Sequence, residues 1–243
     1  MSGVVWIAAP LVAVFAYLVF GLTGFGSTVI LVPALAFFLP LRLVVPLVLL
    51  LDLAAAILLR QDGAPQRDRV EVRRLLPFML VGMLLGVLLL AYTPERWLML
   101  VLGLFIALVG ARGLFMRTAT ALPIAPGWVV PAGFIGGIAS SLYGTGGVIF
   151  AMYASRRIDD PARLRGTMAA LIAISAVVRL GLFLLAGLML EPELWLAWLA
   201  LLPCAWIGLK LGVRWHARVD IVKLRMGINI LLIAGGLGLA LRA

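Results

Sequence analysis

The chain is predicted to be an all-α polytopic membrane protein made of two inverted repeats of five hydrophobic segments each. Each repeat would hold a Gly-rich broken or re-entrant helix pair. Three observations predict this: extreme apolarity, a glycine-rich turn that occurs twice, and loop arginines that alternate in opposed sense in the two halves. The 243 residues are 65% hydrophobic and only 12% charged, with a mean hydropathy of +1.19, far beyond soluble globular domains. The net charge of +10 would suggest nucleic acid in a soluble chain. Here the basic residues fall in short gaps between apolar runs, as cytoplasmic membrane loops do, so the expected surroundings are a lipid bilayer and no nucleic acid. The longest hydrophilic stretch runs only from Arg60 to Arg74. Residues 1–243 therefore read as a single transmembrane domain, with repeat one about 1–120 and repeat two about 121–243.

Ten apolar segments follow in order. The first half has Val4–Phe20, Thr28–Leu39, Leu43–Leu59, Leu75–Tyr92 and Trp97–Met116; the second has Trp128–Leu142, Val148–Ala154, Leu164–Leu190, Trp195–Val213 and Val222–Leu241. The start of the chain lacks a basic stretch before its first apolar run, so it reads as a membrane segment rather than a cleaved signal. A full crossing needs about 20 residues, which leaves the second segment of each half too short to cross alone. Each of these short segments follows a glycine-rich turn: Gly21-Leu22-Thr23-Gly24-Phe25-Gly26-Ser27-Thr28 in the first half, Tyr143-Gly144-Thr145-Gly146-Gly147 in the second. Backbone that leaves the helical ladder at membrane depth must be buried in protein or line a polar cavity.

A shift of 120 residues places Gly24 on Gly144 and Gly26 on Gly146, and a shift of 126 places Gly82 and Gly86 on Gly208 and Gly212. Small residues four apart let membrane helices pack closely. Arg60, Arg67, Arg69, Arg73 and Arg74 follow the third segment of the first half, whereas the matching loop of the second half carries Glu191 and Glu193. Conversely, Arg156, Arg157, Arg163 and Arg165 stand against Arg42, and Arg214, Arg218, Lys223 and Arg225 against Arg96. By the positive-inside rule, equivalent loops lie on opposite sides of the membrane, with both termini outside. Charge leaves open ten spans, six spans plus two hairpins, or intermediate cases in which only one arm of a pair crosses.

The run Gly24-Phe25-Gly26-Ser27-Thr28-Val29-Ile30-Leu31-Val32-Pro33 and its echo Gly137-Ile138-Ala139-Ser140-Ser141-Leu142-Tyr143-Gly144-Thr145-Gly146-Gly147 resemble the TauE/SafE sulfite and sulfonate exporter family of membrane permeases. The resemblance spans essentially the whole chain. It implies a bacterial inner-membrane transporter of small sulfur-containing or organic anions, working as an exporter. Two departures stand out: Gly147-Val148 replaces Ser27-Thr28 in the second half, and Tyr153 aligns with Pro33.

The residues point to anion chemistry as well. Inverted repeats with interrupted segments are a common construction of secondary transporters, whose substrate binds near the midplane. Freed N–H groups and helix N-terminal dipoles at a break favour an anion. The candidate substrate-binding residues are Thr23, Gly24, Phe25, Gly26, Ser27 and Thr28 in the first half. In the second they are Ser140, Ser141, Tyr143, Gly144, Thr145, Gly146 and Gly147. The competing reading is close-packing glycines with hydroxyls bonded back to carbonyls. Two ionisable residues lie deep in apolar segments, where charge is costly and usually purposeful. Asp52 is ~16 Å along its helix from Leu41, and Arg179 about 20 Å from the cytoplasmic start of its own, at 1.5 Å per residue. They could form an interhelical ion pair; Arg179 could meet the substrate or snorkel outward; Asp52 could carry a coupling proton. Proton or sodium coupling and a homo-oligomer stay open.

An enzyme is not expected. The lone His216 offers no partner for a catalytic serine and no second imidazole for a metal site, no nucleotide-binding P-loop is present, and no cofactor is implied. Cys204 stands alone, so no intrachain disulfide can form. The tryptophans near segment ends suit an aromatic belt, and the loop arginines read chiefly as topology determinants and lipid-headgroup contacts. The rival to a carrier of sulfur-containing anions is an anion channel or a carrier for carboxylates.

Overall fold

The computed structural model describes residues 3–23, 26–58, 67–115, 124–215 and 221–242. Ten α-helices account for the ten apolar segments: α1 (Gly3–Thr23), α2 (Ser27–Ala36), α3 (Leu41–Leu58), α4 (Arg69–Tyr92), α5 (Glu95–Phe115), α6 (Val129–Tyr143), α7 (Gly146–Ala154), α8 (Pro161–Leu185), α9 (Pro192–Trp215) and α10 (Ile221–Arg242). A 3-10 turn at Pro126–Trp128 leads into α6. Among the described residues, Arg69–Tyr92, Glu95–Leu114, Pro161–Leu185 and Pro192–Trp215 are each long and apolar enough to cross a membrane. The ten residues of α2 and nine of α7 rise only about 15 Å or less at 1.5 Å per residue. Neither could cross a hydrocarbon core of about 30 Å by itself.

The helices sort into two compact units that do not follow the two halves of the chain. One unit holds α1, α2, α3, α5, α9 and α10; the other holds α4, α6, α7 and α8. The fourth helix of each half thus shares a unit with the first three helices of the other half. In the first unit α9 lies against α1 and α3, α2 packs on both α1 and α3, and α5 pairs with α10. In the second, α4 lies against α6 and α8, and α7 packs on both α6 and α8.

Glycines permit the closest of these approaches. A Cβ at Gly82 or Gly86 would run into the backbone of Phe134 or Ile138 on α6; one at Gly208 or Gly212 would run into Val14 or Leu18 on α1. Val14 and Leu18 become Phe134 and Ile138 under the same shift of 120 residues, and Gly82 and Gly86 become Gly208 and Gly212 under the shift of 126. The correspondence found between the two glycine turns therefore extends to these inter-helix contacts.

Each unit buries its own core. Ala13, Tyr17, Leu31, Leu35, Leu47 and Leu51 are wholly enclosed in the first, while Leu75, Met79, Met83, Phe150, Tyr153 and Leu171 cluster in the second. Opposite faces stay apolar as well: Val81, Leu84 and Leu88 on α4 and Leu196 and Leu199 on α9 are exposed. Water would disfavour such a surface, and a lipid environment accommodates it.

Candidate functional site

At the first break Gly26 has φ +101°, a left-handed conformation, and directly precedes α2. Among the described residues nothing lies within 4 Å of where its Cβ would be, so it is the backbone conformation that demands glycine there. Gly24 and Phe25 lie outside the described residues. Thr23 closes α1, and its side chain is likewise outside the description.

The hydroxyls that open α2 turn to Asp52. Ser27 Oγ donates to Asp52 Oδ1 at 2.8 Å and Thr28 Oγ1 to Oδ2 at 2.7 Å. Tyr17 adds a third hydrogen bond from α1, its phenol donating to Oδ1 at 2.8 Å. Asp52 itself is half-buried. Three hydroxyls from two helices thus converge on one carboxylate of α3, satisfying a charge that would otherwise be costly in an apolar segment. Tyr17 was not among the residues expected from the sequence. The available signal was a tyrosine in an apolar helix six residues before the end of that helix, a pattern equally suited to plain core packing.

The second break is built differently. Gly144, at φ +72°, ends α6, and Thr145 leads into α7 at Gly146. The turn closes on itself, since both the N–H and the hydroxyl of Thr145 donate to the Ala139 carbonyl, at 3.2 and 3.4 Å. The short helix folds back along α6. Phe150 sets its ring against Gly136, and a Cβ on Gly146 would collide with the Gly136 carbonyl and with Ser140. Gly147 has more room, with Ile172 at 3.8 Å.

Arg179, only 5% exposed, reaches this break from α8, donating through Nη1 to the Ser140 carbonyl at 2.9 Å. Ser140 Oγ donates to Ser175 Oγ at 3.3 Å, and Ser175 bonds back to the Ile172 carbonyl at 3.1 Å. Ser141 is fully buried, and its hydroxyl meets no hydrogen-bond partner among the described residues. Tyr143, two residues on, is buried as well. Asp52 and Arg179 belong to different units, each with partners inside its own.

A further charged cluster was not anticipated. Glu71, in the first turn of α4, is 5% exposed. It accepts from Tyr153 Oη at 2.7 Å, Arg157 Nη2 at 3.1 Å and Arg74 Nη1 at 3.3 Å. Arg157 also donates to the Ile124 carbonyl at 3.3 Å. The hydrogen bond to Glu71 raises the Arg157 guanidinium above its ordinary range, although burial opposes it. Arg157 is thus tied to a buried carboxylate of α4, beyond the topology role expected of loop arginines. His216 lies outside the described residues. Among the described residues no group of His, Cys, Asp and Glu side chains could hold a metal ion.

Comparison with known proteins places the chain in a family. Residues 9–239 match the family model described as sulfite exporter TauE/SafE. The chain is also 32% identical over 196 residues to the probable inner membrane transporter protein TsaS of Comamonas testosteroni, covering 79% of this chain and 81% of that one. No solved structure matches it. A family match across nearly the whole length, on a chain of membrane-length apolar helices, makes this protein a multi-pass member of the sulfite exporter TauE/SafE family of membrane transporters.

Proposed function

We propose that the protein is a secondary carrier in the bacterial inner membrane that exports small sulfur-containing or organic anions, sulfite or a sulfonate among them, by alternating access. The observation that carries this reading is the pair of interrupted helices, α1–α2 and α6–α7. Each break has a left-handed glycine, and each is faced by an ionisable side chain from the next helix. Broken membrane helices expose backbone N–H groups and dipoles where a substrate binds. The binding residues would be Gly24, Phe25, Gly26 and the hydroxyls of Thr23, Ser27 and Thr28 at one break. At the other they would be Ser140, Ser141, Tyr143, Gly144, Thr145, Gly146 and Gly147, with Arg179 supplying the positive charge.

The two halves would be inverted repeats of five segments. The opposed loop charges support this, as do the reciprocal exchange of α4 and α9 and the matching contacts of Gly82 and Gly86 with Gly208 and Gly212. The fold-back of α7 on α6 favours a re-entrant hairpin over two separate crossings in that half. The inner-membrane placement follows the loop charges and the relative from Comamonas testosteroni.

Flux tests the reading. Purified protein in sealed vesicles should move at least one of sulfite, thiosulfate, a sulfonate or a carboxylate, with a rate that saturates. A rate linear in concentration would mark a channel, and no movement of any anion would overturn the assignment.

A further inference from the structure

The hydroxyl cage around Asp52 has a consequence for energy coupling, and it rests on the carrier reading above. An ionised carboxylate only accepts hydrogen bonds. As long as Asp52 is charged, the O–H groups of Ser27 and Thr28 are directed at it, and neither can be offered to an anion at the start of α2. A proton on Oδ2 reverses one of these bonds. The carboxylic acid then donates to Thr28 Oγ1 across the same 2.7 Å, and the Thr28 hydrogen turns outward. Hydroxyls are suited to this because each can donate or accept, so both charge states of Asp52 stay satisfied. A lysine or arginine in their place would hold the carboxylate ionised.

Among the described residues, the helices packed against α3 carry their other charges near helix ends or at the surface. From α1 the titratable group facing Asp52 is Tyr17, and α2 carries none. On α5 the charged residues Glu95, Arg96 and Arg112 stand near the helix ends. On α9 Glu193 and Arg214 do the same, while Lys210 is exposed over the Trp206 ring at 3.7 Å. Asp52 is half-buried, which leaves a route for a proton to reach it.

We propose that Asp52, caged by Tyr17, Ser27 and Thr28, is the coupling-proton site, and that its protonation releases a hydroxyl donor to the transported anion. Removing the negative charge and freeing a donor both favour an anion nearby. Proton and anion therefore bind with positive cooperativity, and each raises the affinity for the other by the same factor. They would cross together. Direction is then set by the sum of the proton and anion gradients, so an anion accumulated inside the cell can leave with its proton.

Infrared spectroscopy of the protein in vesicles reads the proton without any substrate. As pH falls, a protonated-carboxyl band should grow in the wild type. Of the carboxyl absorption, Asp52→Asn should lose one component, Thr28→Val should shift that component's frequency, and Thr28→Ser should restore it. A titrating band that is unchanged in Asp52→Asn, or absent from the wild type, overturns the proposal. Transport of methanesulfonate, a permanently charged sulfonate, provides the second arm. An inward proton gradient should raise wild-type accumulation several-fold, and Asp52→Asn should equilibrate the anion without concentrating it. Proton-driven accumulation that survives in Asp52→Asn, or accumulation driven by a sodium gradient alone, also overturns the proposal. If the wild type moves no anion of the panel, the carrier reading fails, and the infrared band still decides whether Asp52 binds the proton.

Discussion

At the α1–α2 break the adjoining helix presents a carboxylate, Asp52, that gathers hydroxyls from both arms. At the α6–α7 break the adjoining helix presents a guanidinium, Arg179, that grips a backbone carbonyl of the first arm. The first glycine, Gly26, stands in open space, whereas Gly146 is wedged against Gly136 and Ser140. Shifting Asp52 by 120 residues gives position 172, seven short of Arg179, or about two helical turns. By that shift the two charges fall on the same face of the third helix of each half, about two turns apart. The two breaks carry opposite electrostatics: one gathers hydroxyls around a carboxylate, the other is closed by packing and faces a guanidinium.

The largest test of that contrast is steric. Gly146→Leu has no room against α6, and overpacking should cost about 3 kcal/mol or more. Transport should be abolished while the protein still reaches the membrane fraction. Gly26→Leu should abolish transport as well, but with only the smaller stability cost of left-handed backbone strain, because its side chain enters open space. Equal losses of thermal stability in the two variants would contradict the difference drawn between the breaks.

Next in size is the cation. Arg179→Met leaves the buried Ser140 carbonyl without its charged donor, a loss of about 1.5–3 kcal/mol, and it should eliminate saturable anion flux in vesicles. Retained flux would remove Arg179 from the site. A smaller effect is expected at the open glycine, where Gly26→Ala should cost about 1–2 kcal/mol through left-handed strain alone. Because Asn tolerates that region better, Gly26→Asn should recover part of the loss in thermal unfolding, whereas Gly146→Asn should not.

The smallest expected effect separates the hydroxyls. Thr145 bonds back to the Ala139 carbonyl and shares that acceptor with its own N–H. Thr145→Val should therefore cost only about 0.5–1 kcal/mol and leave the pH dependence of transport intact. Thr28→Val should change that pH dependence. If the two threonine variants shift the pH profile alike, the hydroxyl cage is not what couples proton to anion.

Much of this architecture was legible in the chain itself. Hydropathy is a local property, so ten apolar runs became ten helices, with ends displaced by a few residues where polar first turns such as Arg69–Arg74 joined α4. The breaks were legible for the same reason: Gly26 and Gly144 adopt conformations that a chain with side chains there would resist. The close approach of Gly82, Gly86, Gly208 and Gly212 could be expected from their spacing, but the helices they meet could not.

Partner choice was settled only in three dimensions. Nothing local pairs α4 with α6 or α9 with α1, because every apolar helix offers a similar surface and the selection rests on how ridges and glycine grooves fit. Ser27 and Thr28 read equally well as substrate donors or as hydroxyls bonded back to the backbone. In the fold they face a carboxylate 25 and 24 residues away, joined by Tyr17 at a separation of 35. Glu71 shows the same limit, since a glutamate in a basic stretch reads as solvated until Tyr153 and Arg157 arrive from α7 and the loop after it. Segments, breaks and close-packing glycines were written in sequence because they depend on each residue's own solvation and backbone freedom. Which carboxylate the hydroxyls serve, and which charge each break faces, depended on tertiary structure, because desolvation and hydrogen bonding are decided by residues far apart along the chain.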